Sequence, residues 1–382
     1  MRSGPVLVLS LFTLCAGACA LDLLPEDAVV NAGTFVPGGA LSEGRAGHTA
    51  TRLANGKVLI AGGYGEEPSL LTAALYDRVS DTFTPTGSMQ IARVGHTATL
   101  LNDGRVLIVG GDLSANTSPA ELYDPETGAF ALAGFPAAPR LSHSATLLSD
   151  GRVLLAGGRQ TEGDEFDPTS GITSAEIYDP STEVFTATGS LNTARSGHTA
   201  TLLLDGRVLI AAGAQKEDQT AELYDPQTGS FTSTGSMTQD RFGHEAVRLE
   251  DGKVLIISHG YRPHAAADLA SAEVYDPMWG WFTSVHSSAP ALGGGRAALL
   301  ADGRVLVVGG EGRCGLTCEE SISAAAIFDA STRRLAEATP MLTGRFGHTA
   351  TLLESGEVLI VGGIQLLHST MLTDTEIFQP LP

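Results

Sequence analysis

The sequence predicts an all-β fold, a ring of seven four-stranded blades, and three observations predict it. A pattern of about 50 residues recurs seven times in phase. The chain is rich in turn formers, with 46 glycines and 6% aromatic residues, and lacks long helical periodicity. A segment near its start repeats text that elsewhere follows the third strand. Repeats of this length, each with four short strands, are the signature of a β-propeller.

Equivalent turn glycines are Gly56, Gly104, Gly151, Gly206, Gly252, Gly303 and Gly356, at intervals of 48, 47, 55, 46, 51 and 53 residues. Within a unit, "HTATLL" reads as the first strand, and Asp-Gly or Asn-Gly then favours the positive φ of a tight hairpin. "RVLIVGG" is a continuous apolar run, as expected of a strand buried on both faces. "AELYDP" is the third strand. "DPETG" turns the chain, with proline fixing φ early and glycine accepting a left-handed conformation late. "AFALAG" is the fourth. Spacing is constant except between "GG" and "YDP", where it runs 13, 12, 20, 11, 16, 18 and 15 residues.

The last unit stops at "TEIFQPLP" after its third strand, whereas "GTFVPGGAL" from Gly33 matches the fourth-strand text "DTFTPTGSM". The N-terminal strand is therefore expected to complete the seventh blade, which would remove a free edge. On this reading residues 33–382 form one domain and 19–32 a tether. Residues 1–18 read as an export signal: Arg2, an apolar run over Val6–Leu14, then Ala16-Gly17-Ala18. "AGAC" resembles a lipobox ending at Cys19, so the expected location is a bacterial cell envelope (lipid-anchored) or the secreted fraction. No later run could span a bilayer, and a membrane role is expected only through that anchor. Cys314 and Cys318 are expected to form a local disulfide in an oxidising compartment, with metal binding the weaker alternative.

The formal net charge of -20 argues against nucleic acid and anionic lipid as partners. "R-x-G-H", an apolar strand ending in "GG", then "Y-D-P-x-T-G-x-F" resembles the Kelch repeat in its bacterial, galactose-oxidase-like form. The resemblance covers about nine-tenths of the chain, and its motifs specify fold far better than function. It implies a seven-bladed propeller that binds proteins or carbohydrates, a minority of such propellers being enzymes.

Six histidines recur: His48, His96, His143, His198, His244 and His348. Recurrence around a ring points to scaffold, because catalysis needs one asymmetric constellation; the imidazoles are expected to bridge backbone groups of neighbouring strands and leave neither ring nitrogen unsatisfied. Three residues earlier stand Arg45, Arg93, Arg140, Arg195, Arg241 and Arg345. Glu121, Glu176, Glu222, Glu273 and Glu376 share a third-strand position. The sixth unit has Leu292, Gly295 and Ala326 instead, which suggests one Arg–His–Glu network per blade, lost as a whole. The first unit fits less well, having Ala74 in place of the glutamate. A competing reading puts the six arginines at the channel mouth, where they would focus an acidic peptide or uronic sugar unless the glutamates neutralise them.

Specificity is expected in the variable loops. Arg159 opens the longest, whose Asp164, Glu165 and Asp167 read as an exposed acidic stretch. The fifth unit replaces "GG" by Ser258 and His259 and adds Tyr261, Arg262 and His264, while "MWGWF" brings Trp279 and Trp281. These could form a sugar or copper site, against ordinary repeat decay. Galactose-oxidase-like enzymes need two tyrosines and two histidines on copper, a cysteine crosslinked to one of the tyrosines, and a further C-terminal domain. No adjacent Tyr-His pair occurs here, and no G-x-S-x-G or H-E-x-x-H motif. The expectation is thus a monomeric, non-enzymatic binding module without cofactor, taking a protein or glycan ligand. The alternative is a copper oxidase or polysaccharide-cleaving propeller.

Overall fold

In the computed structural model the described residues are 29–381, except 113–116, 161–170, 214–218, 258–269 and 312–319. Seven antiparallel sheets stand around a central axis, and among the described residues there is no α-helix. The second blade shows the plan. Thr97–Leu100 lies innermost, followed outward by Val106–Val109, Ala120–Asp124 and Ala129–Ala133. The seven innermost strands neighbour one another in cyclic order, the last against the first.

Burial explains the unbroken apolar runs. Every residue of each second strand is buried, from Val58–Ala61 through Val358–Val361. Such a strand presses one face on each neighbouring blade, so the core is a set of layers between blades. Leu107 and Val109 pack with Val153, Leu155 and Tyr178 of the next blade. Outside them, Tyr123 meets Phe130 across the third and fourth strands with ring centroids 4.8 Å apart. The hairpin after the first strand needs the glycine: Gly104 has φ +89°, and the Leu101 N–H reaches the Arg105 carbonyl at 2.8 Å.

Ring closure follows the text match. Gly33–Pro37 pairs antiparallel with Thr375–Pro380, with Phe35 opposite Phe378 and their ring centroids 5.0 Å apart. A bidentate pair also ties the first blade to the seventh, Arg78 donating to Glu357 at 2.7 and 2.8 Å. That guanidinium is the main reason the Glu357 carboxyl is held down to about 2. The sixth blade carries an additional short parallel strand, His286–Ser287 beside Arg334–Ala338.

The described parts of the loops between second and third strands lie on one face with the blade-to-blade connections. The Arg93 N–H donates to the Leu70 carbonyl, Arg195 to Ile172 and Arg345 to Ile322. In the seventh blade this loop forms a small hairpin, Ile364–Gln365 with Thr370–Met371, around a single 3-10 turn at Leu366–His368. No helix among the described residues is long and apolar enough to cross a membrane.

Candidate functional site: the axial mouth

The six repeated arginines are buried, from 0 to 3% exposed, and do not face the channel. Each turns into its own blade. Arg93 donates to the Gly110 carbonyl at 2.7 Å and to Glu121 Oε1 at 3.0 Å, and Glu121 also accepts the Gln90 N–H. Arg140–Glu176, Arg195–Glu222, Arg241–Glu273 and Arg345–Glu376 repeat the pairing. Arg45 pairs with Glu43 two residues away, so the first blade regains the carboxylate that Ala74 lacks. Placing these six arginines in a ligand site is therefore corrected: their charge is used inside the blade to join the connection, the end of the second strand and the third strand. Burial sets the consequence of losing a partner. Glu222→Ala is expected to cost about 3–5 kcal/mol by stranding Arg195, and Glu43→Ala under about 1 kcal/mol because Glu43 is partly solvated. Thermal melts of both variants check this, and equal losses would contradict it.

The histidines form a second, separate system, which corrects the single Arg–His–Glu network. His96 Nε2 shares a 3.0 Å hydrogen bond with Thr49 Oγ1, on the innermost strand of the preceding blade. Thr97–His143, Ser144–His198, Thr199–His244 and Thr349–His48 continue the belt from blade to blade. The Nε2 partner is a side-chain hydroxyl; backbone hydrogen bonds link His96 to Ala61 and His348 to Val308, as expected, whereas Nδ1 of His48, His143 and His198 makes none, contrary to expectation. Close approach makes glycine necessary in the strand behind. A Cβ on Gly62, whose φ is +63°, would stand 2.7 Å from His96 Cε1. Burial, reinforced by the neighbouring arginines, pushes His48, His96 and His198 down to about 3. Neutral and sealed, they hold blades together and do not transfer protons at the channel.

The belt breaks once. Where other blades carry Thr or Ser after the histidine position, the fifth has Glu245 and the sixth has Arg296. Arg296 donates to Glu245 Oε1 at 2.6 Å and, through Nε, to the His348 carbonyl at 3.0 Å. This pair lies in an open cavity of about 720 Å³ at the axis, lined also by Tyr64, Arg159, Phe346, Ile364 and Met371. Tyr64, Arg159, Glu311 and Ile364 each follow the second glycine position, so one repeat position supplies a phenol, a guanidinium, a carboxyl and an aliphatic chain. Burial raises the Glu311 carboxyl to about 7. Glu245, Arg296 and Glu311 escaped the sequence reading. Stacking the copies would have shown Glu245 and Arg296, because the residue after the histidine position reads T, T, S, T, E, R, T.

Of the residues expected to bind ligand, Arg159 lines the cavity, although it is itself 7% exposed. Cys19, Tyr261, Arg262, His264, Cys314 and Cys318, like Asp164, Glu165 and Asp167, lie outside the described residues.

No family model matches the chain, and no curated protein matches it. Among solved structures it is similar to a fungal alcohol oxidase of the AA5 family in complex with copper. The TM-score is 0.73, the identity 18%, and the match covers 92% of this chain and 77% of that one. At that identity the likeness shows the fold, a galactose-oxidase-like propeller. The finding also stands against the expectation of a non-enzymatic binding module, because the solved protein that shares the fold over 92% of this chain is an enzyme.

The copper implied by this fold needs several oxygen and nitrogen donors around one point. Among the described residues no three His, Cys, Asp or Glu side chains converge in that way. Five of the six repeated histidines spend Nε2 on hydroxyls, and among the described residues Tyr64 is the one tyrosine at the cavity. The described residues alone do not fit the ion.

Proposed function

We propose that this chain is a galactose-oxidase-like propeller enzyme whose substrate is a primary alcohol or a sugar, taken at the axial mouth. The observation that carries the reading is the break in the hydroxyl–imidazole belt. The scaffold repeats around the channel, and Glu245–Arg296 is where its inner ring departs from that repeat, within a cavity large enough for one or two sugar rings. Likeness to a copper alcohol oxidase over 92% of the chain supports the reaction class. In this reading Arg296 and Glu245 donate to and accept from substrate hydroxyls, and Phe346, Ile364 and Met371 present an apolar wall to its C–H face. No step is assigned to copper, which the described residues do not hold.

A second reading rests on Glu311. A carboxyl that burial raises to about 7, at the repeat position that gives the cavity Tyr64, Arg159 and Ile364, can give or take a proton at neutral pH, as the cleavage of a polysaccharide requires. One set of assays separates the two. Purified protein is loaded with copper, freed of excess ion and analysed for metal. Hydrogen peroxide is then measured on galactose, glycerol and benzyl alcohol, and new chain ends on a polysaccharide panel. Stoichiometric copper with peroxide supports the oxidase, with Arg296→Ala expected to lower kcat/KM on sugars by at least about tenfold. Chain cleavage without copper, abolished by Glu311→Gln, supports the second reading. Absence of both activities across the panels would overturn the enzyme reading.

A further inference from the structure

We propose that the outer edge of the fifth blade carries a second site, on the face opposite the axial mouth, that holds a hexopyranose unit of a polysaccharide against Trp279 and Trp281. The scaffold makes no demand for these indoles. The same turn and fourth strand are built with Ser80 and Thr82, Thr127 and Ala129, Thr182 and Val184, Thr228 and Ser230 in the first four blades, and with Thr332 and Arg334 in the sixth. Behind them Phe282 keeps the usual contact with Tyr275, at 4.8 Å between centroids. The blade is thus complete without tryptophan.

Yet both indoles stand in water, 64% and 55% exposed, with planes 17° apart and centroids separated by 5.6 Å. The two large apolar rings are offset-stacked on each other and, being more than half exposed, leave indole faces open to solvent for a ligand to lie against. Beside it is a groove of about 330 Å³ lined by Lys253, Asp276, Thr283 and Arg333, the last from the sixth blade. That size lies at the low end of small-ligand pockets, roughly 300–1,000 Å³. A pyranose presents weakly positive C–H groups on one face, which suit the negative face of an indole, and a rim of hydroxyls. Lys253 and Arg333 can donate to those hydroxyls, and Asp276 can accept from them. A stable protein partner would bury about 800 Å² on each side around an apolar centre, whereas here the exposed aromatic surface is confined to one turn. Such a site would keep the chain on a polymer while the mouth works elsewhere on it.

The two tryptophans are the protein's entire complement, so intrinsic indole fluorescence reads this site directly and independently of any activity. The full chain is titrated with cello-, manno- and galacto-oligosaccharides while emission is followed. A saturable shift with at least one of them is expected. Trp281→Ala and Trp279→Ala, each with unchanged circular dichroism, are expected to weaken that binding at least about tenfold. No emission change with any of the three series up to about 10 mM, which is weaker than a roughly −3 kcal/mol association, would overturn the proposal. So would binding retained by both variants, or an emission shift produced by protein but by none of the sugars.

Discussion

Lowering the pH from 7 to 5 is expected to destabilise the propeller by several kcal/mol, before any carboxylate pair is lost. His48, His96 and His198 fall from the usual 6.5 to about 3 on folding, and His143 and His348 fall well below it. Burial is the main cause, with a neighbouring guanidinium added: Arg45 for His48, Arg93 for His96, Arg140 for His143, Arg195 for His198. A folded-state value below the unfolded one means that the unfolded chain takes up protons first. Stability is therefore fully present above about 6.5 and declines as the pH falls toward 3. Each fully shifted histidine contributes a loss of about 2 kcal/mol at pH 5, since 1.5 pH units each correspond to about 1.36 kcal/mol. The check is the thermal midpoint at pH 7, 6 and 5 at constant ionic strength. A steady fall is expected, and a flat profile would show the belt to be hydrated and the description of it wrong. His198→Gln should reduce the slope by about 1 kcal/mol per pH unit while lowering stability at pH 7.

Carboxylates act lower in the range. Glu357, held to about 2 chiefly by Arg78, protects the closure between blades one and seven above its usual value of 4.5 and releases it progressively on acidification toward 2. The separation of the two windows lets one pH series distinguish belt from closure.

The ring was legible because repetition amplifies weak signals. One "YDPETG" is merely a turn; seven in phase, with a stray fourth strand at Gly33, leave no other closed arrangement. The Arg–Glu pairing was legible because the sixth blade lost both members, Leu292 and Ala326. Belonging of the histidine to that network was not, since Gly295 disappeared with them and joint loss cannot separate two systems in one blade. The hydroxyl partner lies 45 to 54 residues upstream within the chain, on a strand whose Thr and Ser look like ordinary β-formers. Glu43 was invisible for a different reason: it replaces a third-strand glutamate from another element, with no spacing to repeat. Glu245 and Arg296 were legible in principle, as breaks in a column. Chemistry was least legible of all, because irregular loops of different lengths carry no column to break.

The other large effect is expected from Arg195→Ala, a loss of about 3–5 kcal/mol. Arg195 and Glu222 are 0% and 2% exposed at their side chains, and the guanidinium also reaches the Ala212 and Thr220 carbonyls at 2.8 and 3.2 Å. Alanine leaves the Glu222 carboxylate in a dry layer with the Asn192 and Thr193 N–H groups but no cation. The sixth blade indicates how the protein avoids that state, by exchanging both members for apolar residues. The double variant Arg195→Leu/Glu222→Ala should accordingly be far less damaging than Arg195→Ala, although it removes more polar atoms. Replacing a buried pair by apolar residues is often close to neutral, whereas halving it is not. Denaturant or thermal unfolding of the two single variants and the double variant decides the point. Additive losses would mean that the two side chains contribute independently, and the coupling inferred from Leu292 and Ala326 would be lost with it.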